Sequence, residues 1–307
     1  MLSRIPFEVP PALLEKAQTG APVPTAVAGA AGALALESAQ RAADLGLIEP
    51  VLIGDPGEIR AIAKAQGWDL SKIRMVPAKD EIHAAQIAVA LARGHEVAAI
   101  MKGQVHTDTL MRAVVNRDTG LRTDRRISHL FHMSAPGRAG AICITDAAVN
   151  VAPDVATRLH IVNNAVALLH TLGQAEPRVA VLSATESQLD AMPSSQDAAE
   201  IARRAAQGEV RGALVQGPLA LDAAISPEAA ATKKIDGPVA GQADILVVPS
   251  IEAGNALFKS MVYYMSATAA GLVLGARVPI TLTSRADPPE ARLAAIALAA
   301  IAAAQVD

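Results

Sequence analysis

Short apolar runs alternate with amphipathic segments along most of the chain, and this alternation restricts the fold more than any other feature. Runs such as Val97–Met101 and Ala141–Thr145 predict buried strands, whereas Glu81–Arg93 and Pro153–Thr171 have the apolar spacing of helices. Strands that are apolar throughout are typical of a parallel sheet with helices on both faces. We therefore predict an α/β protein whose sheets are mainly parallel.

The length of the chain predicts two domains, because 307 residues exceed the usual size of a single domain. A helix start at Ala152-Pro153-Asp154 places the division near the middle. We predict an α/β domain at 1–150, completed by a C-terminal helix at 287–307, and a second α/β domain at 151–286. Only 2% of the residues are aromatic, so the core must be built from Ala, Val, Leu and Ile.

Composition also argues against several classes of partner. Few aromatic residues are available for base stacking, and a net charge of −3 provides no basic field, so neither nucleic acid nor a membrane surface is expected. A single cysteine, Cys143, excludes an intrachain disulfide and a multi-cysteine metal cluster. Prolines interrupt the N-terminal segment, and no apolar run reaches the ~20 residues of a membrane span. These features predict a cytoplasmic protein.

The segment Val278–Arg292, VPITLTSRADPPEAR, has the pattern of an anion site. A short apolar strand ends at Ser284-Arg285, and Asp287 at the cap with Pro289 in the first turn then starts an Ala-rich helix. The first N–H groups of a helix lack partners, and a guanidinium can bind two oxygens of one phosphate. A capped helix with a solvated arginine is the alternative interpretation of the same residues.

Other polar residues follow or precede predicted strands, where ligands bind in open α/β sheets. They lie in the loop Lys102–Asp108, in the arginine-rich stretch Gly120–His129 and after the strand Ile245–Val248. The sequence contains neither a GxGxxG fingerprint nor a phosphate-binding GxxxxGK[ST] loop, HExxH zinc motif or GxSxG elbow. A dinucleotide site, a zinc protease and a serine hydrolase are therefore unsupported.

Four long segments, in this order, resemble the phosphate acetyltransferase/phosphate butyryltransferase family. They are MKGQVHTDTLMRAVVNRDTGLRTDRRISHLFHM (101–133), ITDAAVNVAPD (144–154), PVAGQADILVVPSIEAGNALFK (238–259) and GLVLGARVPITLTSRAD (271–287). The first segment is most similar to the branch found as the transferase part of enoyl-CoA hydratase/phosphate acetyltransferase fusions.

The resemblance implies a phosphate acyltransferase, which moves a short acyl group reversibly between coenzyme A (CoA) and inorganic phosphate. It implies two three-layer α/β/α domains with an active-site cleft between them, an architecture like that of isocitrate and isopropylmalate dehydrogenases. The CoA thiolate would attack the acyl phosphate directly in a ternary complex. Acetyl is the expected acyl group and butyryl the second candidate. A homodimer is expected, with acyl-CoA, phosphate and acyl phosphate as its small-molecule partners, no permanently bound cofactor and no metal requirement.

The resemblance also assigns roles to individual residues. Arg285 is expected to hold the phosphate, and Ser284 to donate a hydrogen bond to the developing oxyanion or to the thiol. Residues expected to bind phosphate or CoA are Lys102, His106, Thr107, Arg122, Arg126, Ser128, Gly254, Asn255 and Lys259.

One position departs from the family pattern. The acetyl-specific branch has a carboxylate, its favoured general base, six residues after the arginine, where this chain has Ala291. Asp287 is the catalytic carboxylate that we predict instead, with Glu290 as a neighbour, and positive charge could also activate the thiol without a dedicated base.

Two other functions fit the same fold. A non-catalytic acyl-CoA-binding regulatory module, similar to the C-terminal part of some malic enzymes, is the main alternative. A metal-dependent decarboxylating dehydrogenase would need an aspartate cluster and a nicotinamide pocket, for which the sequence gives no sign.

Overall fold

The computed structural model describes residues 2–138, 140–282 and 286–304. These residues form two compact units. The central unit comprises Met1–Pro6 and Arg126–Ala269, and the terminal unit comprises Phe7–Arg125 and Ala270–Asp307. The chain thus leaves the terminal unit at Arg125, earlier than the predicted division at residue 150. The reason is that the strands between these two positions form hydrogen bonds with strands of the central unit.

The strands and helices of the described residues follow in chain order. The strands are β1 (Val23–Ala28), β2 (Ile48–Gly54), β3 (Arg74–Pro77), β4 (Ala99–Lys102), β5 (Ser128–Ser134), β6 (Ile142–Thr145), β7 (Arg178–Leu182), β8 (Leu214–Leu219), β9 (Ile245–Val247), β10 (Thr268–Leu274) and β11 (Ile280–Thr281). The helices are α1 (Pro11–Ala17), α2 (Ala33–Asp44), α3 (Pro56–Gln66), α4 (Glu81–Arg93), α5 (Thr107–Val114), α6 (Val155–Thr171), α7 (Pro193–Arg204), α8 (Leu221–Ile225), α9 (Pro227–Lys233), α10 (Ile251–Met265) and α11 (Pro289–Ala303).

The terminal unit contains a mainly parallel sheet in the order β3-β2-β1-β4-β11-β10. Pairing is parallel throughout except between β10 and β11. The consecutive residues Thr25 to Ala28 of β1 are all buried, which requires cover on both faces because alternate side chains point to opposite sides. Helix α4 packs on β1, β2 and β4, and α11 packs on α1, α2, β4 and β11.

The strands of the central unit lie in the order β5-β6-β9-β7-β8. Strand β5 is antiparallel to β6, and the other pairs are parallel. Helices α6, α8 and α10 pack on its strands, and β6 and β9 are buried along their whole length. The predicted fold class, α/β with mainly parallel sheets, is therefore confirmed.

The start of α11 differs from the prediction. Asp287 is not the cap, because the N-cap is Pro288, which makes no side-chain capping hydrogen bond. A residue that precedes proline is sterically excluded from helical backbone angles, and Pro288 accordingly has an extended ψ of 154°. The helix therefore begins at Pro289, one residue later than a helix capped by Asp287 would.

None of the helices in the described residues is both long enough and apolar enough to cross a bilayer.

Candidate functional site

The strand order of the terminal unit marks a position for ligand binding. Strands β1, β2 and β3 follow one another toward one edge, whereas β4 lies on the other side of β1. The order therefore reverses between β1 and β4, and in open α/β sheets ligands bind beyond the carboxyl ends of the strands at such a point. Lys102 is the last residue of β4, so it lies at this position.

The loops after β1 and β4 are in direct backbone contact. The N–H of Gly103 donates to the carbonyl of Ala28 at 2.8 Å, and the N–H of Gln104 donates to the carbonyl of Gly29 at 2.6 Å. A Cβ atom on Gly103 would lie only 2.8 Å from the Ala28 oxygen, and still closer to the Gly29 oxygen. Glycine is therefore required at position 103 for this approach. The buried Lys102 ammonium donates to the Val105 carbonyl at 3.2 Å in the same loop.

His106 lies at the end of this loop and is oriented by a carboxylate that sequence analysis did not identify. Its Nδ1 lies 2.8 Å from Glu81 Oε2, and its backbone N–H donates to the same oxygen at 3.0 Å. The hydrogen bond from the His106 side chain is the main reason why the pKa of Glu81 is lowered. The imidazole remains exposed, and Thr107, the first residue of α5, is exposed as well.

The predicted Ser284-Arg285 pair lies outside the described residues. Strand β11 is parallel to β4, with Thr281 paired to Met101, so Leu282, the last residue described before the pair, lies beside the carboxyl end of β4. The next described residues are Ala286, which is exposed, and Asp287, which is partly buried.

A buried arginine in the first turn of α11 binds the main chain at Asp287. Arg292 is 5% exposed, and its Nη1 donates to the main-chain carbonyl of Asp287 at 2.7 Å. Its Nε donates to Ser38 Oγ at 2.9 Å, which ties the turn to α2. Arg292 carried no sequence signal, because a basic residue in an Ala-rich helix normally faces solvent.

The two residues that precede Arg292, Ala291 and Glu290, do not provide an unpaired carboxylate. Ala291 is 4% exposed, so the position where the acetyl-specific branch is expected to have its base is part of the core here. Glu290 lies 3.8 Å from the Nη1 of Arg41 on α2.

The arginine-rich stretch is divided between the two units. Arg122 forms an isolated antiparallel bridge with Ala276 in the terminal unit and is exposed. Arg126 and Ser128 belong to the central unit, where Ser128 is the first residue of β5 and is 1% exposed.

A carboxylate-centred turn follows β6 in the central unit. Buried Asp146 accepts hydrogen bonds from the N–H groups of Ala148 and Val149, both at 3.0 Å, and from that of Asn150 at 3.2 Å. The Asn150 side chain donates to the Asp146 carboxylate at 2.6 Å and to the Ile127 carbonyl at 2.9 Å. The turn is therefore bonded to the chain that leads into β5.

The first turn of α10 packs against this carboxylate-centred turn. A Cβ atom on Gly254 would lie 2.7 Å from the Ala147 Cβ, so the small residue permits the contact. Asn255 is partly buried in the same part of the helix. Lys259, one turn further along, is exposed, with its ammonium 6.0 Å from the ring centre of Phe258.

Three titratable side chains of β5 and β6 lie wholly or partly in the core. Burial lowers the pKa of His129 to about 4, although the nearby Asp146 opposes the shift. Burial also lowers the pKa of His132 to about 4. Cys143 is buried, and burial raises the pKa of its thiol, so this side chain packs in the core and is a poor nucleophile. The described residues contain no group of three or more His, Cys, Asp or Glu side chains that could hold a metal.

Comparison with known proteins agrees with these features. The profile of the family described as "Phosphate acetyl/butaryl transferase" matches residues 79–300. A phosphate acetyltransferase of Rhizobium meliloti is 47% identical over 95% of this chain and 93% of its own length. A phosphate butyryltransferase of Clostridium beijerinckii is 39% identical over 92% of this chain and 95% of its own.

A solved structure agrees as well. The crystal structure of a branched-chain phosphotransacylase from Enterococcus faecalis V583 superposes with a TM-score of 0.79 at 31% identity, covering 91% of this chain and 99% of that one. The chain belongs to the phosphate acetyl/butyryl transferase family and is an acyltransferase.

Proposed function

We propose that the chain transfers a short acyl group reversibly between CoA and inorganic phosphate, with acetyl as the preferred group and butyryl as the second candidate. The observation that carries the proposal is the 47% identity with a phosphate acetyltransferase over nearly the full length of both chains. The lower identity to the butyryltransferase, 39%, supports the order of the two acyl groups.

The proposed reaction proceeds by direct attack in a ternary complex. The CoA thiolate attacks the carbonyl carbon of the acyl phosphate, a C–S bond forms, and the bond to the phosphate oxygen breaks so that phosphate leaves. A thiol has a pKa of about 8.5, so a base or a positive field must favour the thiolate. The developing oxyanion needs hydrogen-bond donors, and both substrates must be aligned.

We assign these tasks to the residues that the family resemblance selected. Arg285 binds the phosphate, Ser284 donates to the oxyanion or the thiol, and Asp287 accepts the thiol proton. Asp287 is the carboxylate that the sequence predicts for this role, with Glu290, which lies beside Arg41, as its neighbour. The residues proposed to bind phosphate or CoA are Lys102, His106, Thr107 and Arg122 of the terminal unit and Arg126, Ser128, Gly254, Asn255 and Lys259 of the central unit.

The test is phosphate-dependent release of free thiol from acetyl-CoA, propionyl-CoA and butyryl-CoA. Release that requires phosphate is expected, fastest with acetyl-CoA, and unchanged by a chelator because the proposed chemistry has no metal-dependent step. Absence of release with all three, together with measurable CoA binding, would refute the proposal in favour of a regulatory module.

Replacing Arg285 tests the assignment of the phosphate-binding residue. Arg285→Ala should lose most of the turnover and keep the wild-type unfolding midpoint, since a guanidinium bound to phosphate contributes mainly to the reaction. Arg60→Ala, at an exposed position of α3, is the control and should behave like the wild type. Turnover of Arg285→Ala at the wild-type rate would refute the assignment.

A homodimer and a cytoplasmic location are also part of the proposal. Gly254 is the only buried residue of the 15-residue helix α10, and Tyr263, Tyr264 and Met265 at its end are 46–66% exposed. A second copy of the chain would cover this apolar surface. Light scattering should give twice the mass of the chain, and a monomer at all concentrations would contradict the dimer. Fractionation of the source cells tests the location.

A further inference from the structure

Two side-chain amides, one buried and one half-buried, hold the three residues at the start of β5. The Nδ2 of Asn164, on α6, donates to the Arg126 carbonyl and to Ser128 Oγ, both at 2.9 Å. The Nδ2 of Asn150 donates to the intervening Ile127 carbonyl, also at 2.9 Å. Asn164 is 2% exposed, so these bonds form away from bulk water, where a carbonyl without a donor is costly.

Strand pairing does not fix this segment. The register between β5 and β6 begins at Leu130, which pairs with Thr145, so Arg126 and Ile127 precede the ladder. Their carbonyl groups therefore need donors from elsewhere, and the two asparagines supply them. Asn150 is itself fixed, because its amide also donates to the buried Asp146 carboxylate at 2.6 Å.

The held segment carries two residues with the chemistry to bind phosphoryl oxygens. Arg126 is exposed at its side chain, so the guanidinium is accessible while its own carbonyl is anchored. A guanidinium on a fixed backbone loses less conformational entropy when it binds an anion than one on a mobile loop. The buried Ser128 hydroxyl accepts a hydrogen bond from Asn164, which fixes the orientation of its side chain.

We propose that Asn164 and Asn150 are positioning residues, which hold Arg126 and Ser128 in the geometry that binds phosphoryl oxygens of the substrates. The inference rests on the proposed function, because it assumes that the chain binds phosphate and CoA. Neither asparagine touches the substrate in this proposal. Each acts through the backbone or hydroxyl group that it holds.

The chain offers a matched pair of variants for the test. Asn164→Asp keeps the shape of the side chain and removes the N–H donors, so the Arg126 carbonyl faces a carboxylate oxygen instead. Asn163→Asp makes the same change one residue earlier on α6, where the amide donates to the carbonyls of Leu159 and Glu209. Both variants add one negative charge to the same helix, and only Asn164→Asp alters the contact with β5.

Initial rates should be measured against phosphate and against CoA separately for the wild type and both variants. Asn164→Asp should raise KM about tenfold, equivalent to about 1.4 kcal/mol, with kcat changed much less, whereas Asn163→Asp should match the wild type. A rise for phosphate alone identifies inorganic phosphate as the anion at this segment. A rise for CoA alone identifies the phosphoryl groups of CoA.

Equal KM values for Asn164→Asp and Asn163→Asp, in an active wild type, would overturn the positioning role, and so would a loss confined to kcat. If Asn164→Asp does not fold, Asn150→Ala replaces it, since Asn150 is only half-buried and its loss releases the Ile127 carbonyl. An inactive wild type would instead refute the proposed function, so the two failures are distinguishable.

Discussion

Two histidines of β5, His129 and His132, should make the central unit sensitive to acid. The pKa values of His129 and His132 are lowered to about 4 by burial, against about 6.5 in an unfolded chain. Between these values the unfolded state binds more protons than the folded state, so stability falls as the pH is lowered through this range. The full effect is about 3 kcal/mol per histidine, at ~1.36 kcal/mol per pKa unit.

The expected loss can be stated at a practical pH. At about pH 5 an unfolded histidine is mostly protonated and a buried one is mostly neutral, which amounts to about 2 kcal/mol per residue. Both histidines together should therefore lower the free energy of unfolding by about 4 kcal/mol between about pH 8 and pH 5. Urea unfolding at these two pH values, at constant ionic strength, measures the difference.

Replacing one histidine measures its contribution to the pH-dependent loss of stability. His132→Gln should reduce the difference between the two pH values by about 2 kcal/mol, since one buried titratable ring is removed. His95→Asn, at an exposed position with a positive φ of 58° that asparagine accepts, is the control and should retain the wild-type difference. An undiminished difference in His132→Gln would refute the assignment of a neutral, buried His132.

Two further predictions concern the terminal unit. Gly103→Ala should lower the free energy of unfolding by about 1–3 kcal/mol and abolish activity, because the new Cβ meets backbone oxygens. Gly20→Ala, which has open space at its Cβ, is the control and should be near neutral. Wild-type stability of Gly103→Ala would contradict the close approach of the two loops. Arg292→Lys should lower the free energy of unfolding by about 1–3 kcal/mol, since lysine lacks the forked guanidinium that binds both Ser38 and Asp287. A urea midpoint equal to that of the wild type would show that these two hydrogen bonds do not stabilise the unit.

Sequence pattern predicted some elements residue by residue. Helix α4 has the predicted bounds, Glu81–Arg93, and α6 (Val155–Thr171) begins two residues after the predicted start at Pro153 and ends at the predicted residue. Helix α3 was missed although its signals are present, since Asp55 caps it, Pro56 starts it and Gly67 ends it with a positive φ of 73°. Its apolar stripe is short, with Ile59 and Ala63 as its buried residues, so periodicity alone gave a weak signal.

The contacts that hold the candidate site residues could not be predicted in the same way. Asn164 lies in the middle of α6 next to a second asparagine, Asn163, and its partners are 36 and 38 residues away in the sequence. Glu81 was assigned to a helix, but its contact with His106 spans 25 residues. A local pattern identifies residue types with suitable chemistry. Contacts between residues far apart in the sequence depend on strand order and register, which a local pattern does not determine.

The two units hold their loops in different ways, and this difference predicts how each responds to substitution. In the terminal unit, Gly103 allows its loop to contact the backbone of Ala28 and Gly29. Any side chain added at this position would overlap those atoms and damage folding and activity together. In the central unit, Asn164 and Asn150 supply N–H groups to carbonyls outside the strand ladder. Replacing the half-buried Asn150 by alanine removes one such donor and buries no charge. Loss of stability should therefore accompany loss of function at Gly103, whereas for Asn150→Ala substrate affinity should fall more than stability does.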